Sequence, residues 1–228
     1  MALTYPVPKP SDISKHQPGF HEDEKLIQLA QHFLADCSAF VETGTNMGVT
    51  ARHVALRFKN LQVFTSEPEP STRAFAKQHL SDCENVEVFE EPSPQFLSVL
   101  FDKHPELATQ LNFFHLDAHG NGFQWPLADE IRILTEHLDV GVMLVDDFRV
   151  PGRPEFKFDI WGGQMCNMDL LLANLKSGRK YLILYPKYQG ITAKGPLSGA
   201  CFVVFGVDNI HIPPEIAPNW QALVIDKS

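Results

Sequence analysis

The feature that most constrains the fold is a repeated alternation of short apolar runs with segments of helical periodicity. Between the runs, apolar residues recur every three or four positions, as from Leu127 to Leu138. Strands that alternate with helices indicate βαβ units, and therefore a mostly parallel sheet with helices on both faces. The runs that have the length of buried strands cover residues 39–43, 61–67, 86–91, 111–117 and 140–147.

The two remaining apolar runs, 181–185 and 200–206, are too close in sequence to enclose a full helix. One of them is therefore predicted to run antiparallel to its neighbours, in a sheet of seven strands. Residues 1–25 are rich in proline and show little periodicity, and we interpret them as an N-terminal arm or lid. Residues 26–228 are predicted to form a single α/β domain with a sizeable core.

Charge and composition narrow the classes of partner. The formal net charge of -9 argues against nucleic acid or an anionic membrane as the main binding partner, because both bind to basic protein surfaces. No apolar run reaches the roughly 18 residues of a membrane-spanning helix. The four cysteines lie far apart without a CxxC pair, which indicates buried thiols and a cytoplasmic protein. We expect neither a nucleic-acid nor a membrane partner, and a homo-oligomer remains open.

Acidic residues stand at the ends of four predicted strands. They are Glu42, Glu67, Asp117 and the pair Asp146 and Asp147. The carboxyl ends of parallel strands share one edge of a sheet, and ligands bind at that edge in open α/β folds. Carboxylates gathered there repel one another unless ligands or cations compensate. The edge is therefore the predicted functional site.

The first strand leads into a glycine-containing turn, "FVETGTNMGVT". Gly44 permits a tight turn and the close approach of a ligand, although a plain turn glycine is the alternative. Glu67, at the end of the next strand, stands where an acidic residue binds ribose hydroxyls in nucleotide folds. "GTNMG" lacks both the G-x-G-x-x-G pattern and the Lys-Ser/Thr of a P-loop. A ligand with a ribose and a positive end therefore fits better than a pyrophosphate.

Four segments resemble class I S-adenosylmethionine-dependent methyltransferases in their order and spacing. They are "FVETGTNMGVT", "FTSEPEP", "FFHLDAHGNGFQWPLADEI" and "VMLVDDF". The chain looks closest to small-molecule O-methyltransferases with a divalent metal site, of the macrocin type and more distantly the catechol type. The resemblance implies a Rossmann-like methyltransferase fold. It also implies transfer of a methyl group from S-adenosylmethionine (SAM) to a hydroxyl oxygen of a small molecule.

The resemblance also implies which residues hold the cofactor. Glu67 would bind the ribose, and Ser93 would either face the adenine or only cap its helix. Relatives often carry Asp-Ser at this point, whereas this chain has Pro92 and Ser93. The residues implied at the methionine end of the cofactor are Glu42, Thr43, Gly44, Thr45, Asn46 and Gly48.

The metal ligands that the resemblance implies are Asp117, Asp146 and Asp147, and the expected ion is Mg²⁺. Hard oxygen ligands independently favour Mg²⁺, Mn²⁺ or Ca²⁺ over zinc. Such an ion would lower the pKa of a bound hydroxyl group. For Asp146 and Asp147 the alternative is an ordinary loop start, where Asp often caps turns.

Asp117 and His119 are the candidate catalytic bases, because "LDAHGNG" lacks the lysine that catechol-type relatives carry. Beside a cation, His119 would have a depressed pKa and remain neutral. The alternative is that His119 has no catalytic role, and merely lines the pocket or hydrogen-bonds to the backbone. His115, inside a strand, is predicted to be a core residue. The histidines expected to be solvated are His16, His21, His32, His53, His79 and His104.

Two other functions fit the same scaffold. One is a metal-dependent enzyme similar to cephalosporin hydroxylase, and the other is a non-catalytic cofactor-binding module. Aromatic residues that flank the acidic edge could form a substrate wall or belong to the core. They are Trp125, Phe156, Phe158 and Trp161.

Overall fold

The computed structural model describes residues 18–119 and 125–228. These ranges contain twelve strands, numbered in chain order as β1 (Ala39–Thr43), β2 (Gln62–Ser66), β3 (Val86–Phe89), β4 (Phe113–Leu116), β5 (Gly141–Val145), β6 (Ile160–Trp161), β7 (Gln164–Met165), β8 (Lys180–Pro186), β9 (Ile191–Thr192), β10 (Gly195–Pro196), β11 (Cys201–Phe205) and β12 (Trp220–Asp226). The α-helices are α1 (Glu24–Leu34), α2 (Val49–Arg57), α3 (Pro70–His79), α4 (Ser93–Lys103), α5 (Leu127–His137) and α6 (Met168–Asn174).

Eight of the strands form one sheet, in the order β12-β8-β11-β5-β4-β1-β2-β3. The five strands from β3 to β5 in this order are parallel to one another. Strand β11 runs antiparallel to both of its neighbours, β5 and β8. The predicted fold class, a mostly parallel sheet with an antiparallel strand, is thereby confirmed.

The eighth strand, β12, is the element that sequence reasoning missed. It pairs antiparallel with β8 at the edge of the sheet. Apart from Trp220, its residues are exposed or only partly buried. The sequence does carry a short apolar run there, from Ala222 to Ile225, and it ends in the β-branched residues Val224 and Ile225 that strands favour.

Helices cover both faces of the sheet, as predicted. Apolar residues of α4, α5 and α6 pack on one face, and those of α1 and α2 pack on the other. Strands β1, β5 and β11 are buried along their whole length, which explains their continuous apolar sequences. All four cysteines are free thiols, and Cys37 is the one not fully buried. No helix in the described ranges is long and apolar enough to span a membrane.

Backbone hydrogen bonds extend the parallel ladder by one residue beyond the strand ends. The Asp117 amide donates to the Thr43 carbonyl oxygen at 3.2 Å, and the Asp146 amide donates to the Leu116 carbonyl oxygen at 3.1 Å. The ends of β1, β4 and β5 therefore lie side by side. This register brings the predicted acidic residues together at one edge.

Candidate active site

The glycine loop, Gly44 to Gly48, is packed tightly between the ends of β2 and β4. Gly44 has a φ of +87°, and a Cβ at this position would lie 2.6 Å from the Asp117 carbonyl oxygen. The amides of Gly44 and Thr45 donate to the Ser66 carbonyl oxygen at 3.1 and 2.9 Å. Both the backbone conformation and the contact with Asp117 thus require glycine at position 44.

Glu42 and Thr43 form the buried base of this loop. The Thr65 hydroxyl donates to Glu42 Oε2 at 2.7 Å, and the Thr65 and Thr45 hydroxyl oxygens are 2.6 Å apart. Thr43 Oγ1 accepts a hydrogen bond from the Asp117 amide at 3.3 Å. These side chains therefore fix the loop against both neighbouring strands.

Glu67 lies beneath the glycine loop and is bound to it. Its Oε2 atom accepts from the Asn46 amide at 2.9 Å, and its Oε1 atom accepts from the Glu69 amide at 3.1 Å. Burial raises the pKa of this carboxyl group, and the two amides offset part of the rise. A carboxylate offers about four acceptor positions, so positions remain for a ligand. The sequence-predicted pair of glycine loop and Glu67 is one structural unit.

Ser93 and Glu130 carry buried polar atoms without partners. Ser93 is the first residue of α4 and makes no capping hydrogen bond. In the described structure, Ser93 Oγ and Glu130 Oε1 have no hydrogen-bond partner. Burial raises the pKa of Glu130 to about 7. Sequence reasoning missed Glu130, although its spacing from Leu127 and Leu134 places it on the buried face of α5.

Asp146 belongs to the aspartate edge, which comprises Asp117, Asp146 and Asp147. Its Oδ2 atom accepts hydrogen bonds from His21 Nε2 at 2.9 Å and from His115 Nε2 at 3.1 Å. Its Oδ1 atom accepts from the Asp147 amide at 2.8 Å. Asp146 is only 5% exposed, so these three donors are its main environment.

The histidines around Asp146 provide the positive charge that the acidic edge requires. Burial alone would lower the pKa of His115, but its hydrogen bonds to Asp146 and Glu42 raise it to about 10. The charge of Asp146 and the hydrogen bond to it raise the pKa of His21 to about 9. Burial would raise the pKa of Asp146, but the two histidines hold it well below its ordinary value. The carboxylate and the histidines therefore stabilise one another's charged forms.

The strained turn at Phe20 to Glu22 delivers His21 to this position. These three non-glycine residues have φ values of 55°, 53° and 59°. The left-handed conformation costs roughly 1–2 kcal/mol per residue, so other contacts must hold the turn. Phe20 is buried and its ring contacts His115, at 5.5 Å between centroids. The His21 side chain is 43% exposed, in line with the expectation of a solvated residue, although its ring also binds Asp146. His115 is buried, as predicted. His16 and the rest of residues 1–17 lie outside the described ranges.

His119 bridges the other two aspartates of the edge. Its Nε2 atom lies 3.4 Å from Asp117 Oδ1 and 3.2 Å from Asp147 Oδ2. Hydrogen bonds to both carboxylates raise the pKa of His119 to about 11. His119 is therefore protonated beside these two carboxylates, in contrast to the depressed pKa expected beside a cation. Burial and the charge of Asp146 raise the pKa of Asp117 to about 6.

One large cleft joins the glycine loop to the aspartate edge. Its volume is about 1020 Å³, and Glu42, the loop residues from Gly44 to Met47 and all three aspartates lie on its lining. Residues 18–25 and 188–198 form the remaining walls, together with Val49, Thr50 and Lys157. Glu67 and Ser93 are not on this lining. The four aromatic residues considered as a substrate wall are also absent from it, and Phe156 and Trp125 are buried core residues.

Comparisons with known proteins place this geometry in a structural class. No family model and no curated protein matches the sequence. Solved structures with a similar fold include the O-methyltransferase TomG from Streptomyces achromogenes in complex with SAM. The TM-score is 0.56 at 17% identity, covering 80% of this chain and 79% of TomG. An O-methyltransferase from Bacillus cereus in complex with SAH gives a TM-score of 0.54 at 16% identity, covering 79% of each chain.

The fold is therefore that of the class I SAM-dependent methyltransferases, as the sequence motifs predict. The same fold also supports another group transfer. A spermidine synthase in complex with the transition-state analogue AdoDATO matches with a TM-score of 0.52 at 14% identity, covering 84% of this chain and 60% of that enzyme. The reaction must therefore be argued from the site.

Proposed function

We propose that the protein transfers a methyl group from SAM to a hydroxyl oxygen of a small molecule. The observation that carries this proposal is the single cleft, which joins the glycine loop to the aspartate edge on a methyltransferase fold. Its volume of about 1020 Å³ is at the upper limit of ordinary ligand pockets, which span about 300–1,000 Å³. Such a cleft has room for a cofactor and a substrate together. The SAM and SAH complexes among the structural neighbours support the choice of cofactor.

The glycine loop and Glu67 fit the cofactor. In this proposal, the residues from Glu42 to Gly48 hold the methionine end, and Glu67 uses its remaining acceptor positions for the ribose hydroxyls. Among the described residues Ser93 Oγ is buried without a partner, so a polar group of the adenosine end would satisfy it. Binding through these groups would fix the cofactor before the substrate reacts.

The aspartate edge fits a divalent cation, because it combines several carboxylates with open acceptor positions. Of the three predicted ligands, we favour Asp117 and Asp147, since Asp146 accepts three hydrogen bonds and is buried. Among the described residues, the Asp147 carboxylate contacts only the Ser198 hydroxyl and His119. When bound, the ion would lower the pKa of the substrate hydroxyl and hold its oxygen in place.

Where no ion is bound, Asp117 is a better candidate for the catalytic base than His119. With a pKa of about 6, Asp117 is ionised at neutral pH and can still accept a proton. His119, with a pKa of about 11, already carries its proton. Residues 18–25 line the cleft, which supports a role of the N-terminal arm in covering the substrate. Holding the hydroxyl oxygen close to the methyl carbon supplies much of the rate enhancement.

The test uses SAM with a deuterated methyl group and a panel of catechols, sugars and other hydroxyl compounds. The proposal expects one class of compound to gain the labelled methyl group, with one SAH formed per product. Glu67→Ala should lower the yield. Oxygen added without label would indicate a hydroxylase-like enzyme. SAM binding without any SAH formation across the panel would indicate a binding module, and either result contradicts methyl transfer.

A further inference from the structure

Besides the large cleft, the structure contains a second, ion-sized cavity at the aspartate edge. Its volume is about 10 Å³, which corresponds to a single water-sized particle. Its polar lining residues are Asp117, His119, Glu130, Asp146, Asp147 and Asp159, and its apolar lining residues are Leu116, Ala118, Trp125 and Leu127. Five carboxyl groups and one imidazole therefore border a space for one small particle, and apolar side chains close the rest of it.

The distances between three of these side chains suit a single ion. His119 Nε2 lies 3.4 Å from Asp117 Oδ1 and 3.2 Å from Asp147 Oδ2, and one ligand atom from each residue lies within 4.8 Å of the others. Neighbouring ligands of an octahedral ion with bonds of about 2.1 Å are separated by about 3.0 Å. Two of the three separations are thus near the spacing that one ion would impose, and the third, between the two carboxylates, is at most 4.8 Å.

Two further residues around the cavity support a ligand there. Glu130 is 1% exposed, and its Oε1 atom has no hydrogen-bond partner among the described residues. A buried carboxyl oxygen without a protein donor is ordinarily satisfied by an ordered water or an ion. Asp159 Oδ2 lies 3.7 Å from His119 Nδ1. A carboxylate on the far nitrogen is the usual means of orienting an imidazole that binds a metal.

We propose that Asp117, His119 and Asp147 bind a first-row transition-metal ion, and that the site prefers Mn²⁺, Fe²⁺, Co²⁺ or Zn²⁺ to Mg²⁺. Imidazole nitrogen suits these ions, whereas Mg²⁺ takes oxygen ligands. His119 binds the ion as neutral imidazole, so its proton leaves to solvent on binding. Asp146 stays outside the ligand set and anchors His21 and His115. This inference rests on the proposed function only for the ion's role beside the substrate, because metal binding is measurable without turnover.

The test is Mn²⁺ binding, followed by electron paramagnetic resonance. In the wild-type protein, pulsed spectra of bound Mn²⁺ should show coupling to an imidazole ¹⁴N nucleus. His119→Gln should remove the coupling and weaken Mn²⁺ binding at least about 10-fold. The matched control is His211→Gln, at an exposed histidine, and it should change neither result. A tenfold excess of Mg²⁺ should leave most of the Mn²⁺ bound to the wild-type protein.

A second variant separates loss of the ligand from loss of the fold. His119→Asp replaces nitrogen with oxygen, so it should still bind Mn²⁺ without the ¹⁴N coupling, and Mg²⁺ should then compete more strongly. Bound Mn²⁺ without ¹⁴N coupling in the wild type would overturn the proposal. The absence of any binding would also overturn it, because protonated His119 would then take the place of the ion. Methyl transfer could fail while nitrogen ligation is observed, so the two proposals fail separately.

Discussion

The two ends of the cleft stabilise their carboxylates in different ways. At the glycine loop, Glu67 accepts hydrogen bonds from two backbone amides, at 2.9 and 3.1 Å. At the aspartate edge, Asp146 accepts from two histidine side chains that are both protonated at neutral pH. The first end is a neutral framework built from neighbouring segments. The second is a charged network whose members come from the N-terminal turn, β4 and β5, so changes there should have larger effects.

The largest expected effect is at Asp146. Asp146→Asn removes the charge that two histidines share in a buried site, and breaking such a pair costs about 3–5 kcal/mol. Glu67→Gln keeps one acceptor oxygen and should cost only about 1–2 kcal/mol. Urea unfolding of both variants measures the difference. Equal costs would show that the two ends are stabilised in the same way.

At the glycine loop, the expected effect is a steric one. Gly44→Ala would place a Cβ 2.6 Å from the Asp117 carbonyl oxygen, whereas Gly178 has nearly the same φ, +86°, with nothing within 4 Å of a Cβ. Gly178→Ala therefore measures the conformational strain alone, about 1 kcal/mol. Gly44→Ala should cost about 1–3 kcal/mol more, as overpacking does. If thermal unfolding shows the same loss of stability for both variants, the loop can relax away from β4.

The charged network should make the free energy of unfolding fall as the pH rises above 7. The pKa values of His115 and His21 are raised to about 10 and 9, so their stabilising effect is complete below the unfolded value of about 6.5. It is lost as the pH rises through 9 and 10, because the folded state then releases the protons that stabilise it. Urea unfolding between pH 7 and 10 should show this loss. Asp146→Asn should give a shallower decline, and an unchanged slope would contradict the network.

The smallest expected effect is at the rim of the cleft. Lys194 Nζ contacts Glu22, but the lysine side chain is 84% exposed and that of Glu22 is 37% exposed. Exposed ion pairs contribute about 0–1 kcal/mol. Lys194→Ala should therefore change the free energy of unfolding by less than about 0.5 kcal/mol. A larger loss would mean that the β9–β10 hairpin holds the strained turn in place.

The two ends of the cleft also differ in how much of each could be predicted from the sequence. The strand ends, Gly44 and Glu67 follow from local patterns, because a parallel sheet aligns them without further information. The contact of His21 with Asp146 could not be predicted, since it joins residues 125 positions apart through a left-handed turn that contains no glycine at its centre. Glu130 had only a faint signal, its position on the apolar face of α5. Strand β12 had a short signal, the apolar run from Ala222 to Ile225, although the strand itself is largely exposed.

The most direct test of the account is calorimetric titration of SAM in EDTA into the wild type, Glu67→Ala and Asp147→Asn. The central claim is that the glycine loop with Glu67 holds the cofactor, independently of the aspartates. The wild type should bind SAM without metal. Glu67→Ala should weaken binding about 10- to 150-fold, because hydrogen bonds to a charged group contribute about 1.5–3 kcal/mol. Asp147→Asn should stay within about threefold of the wild type. Loss of binding in Asp147→Asn with unchanged binding in Glu67→Ala would contradict the account.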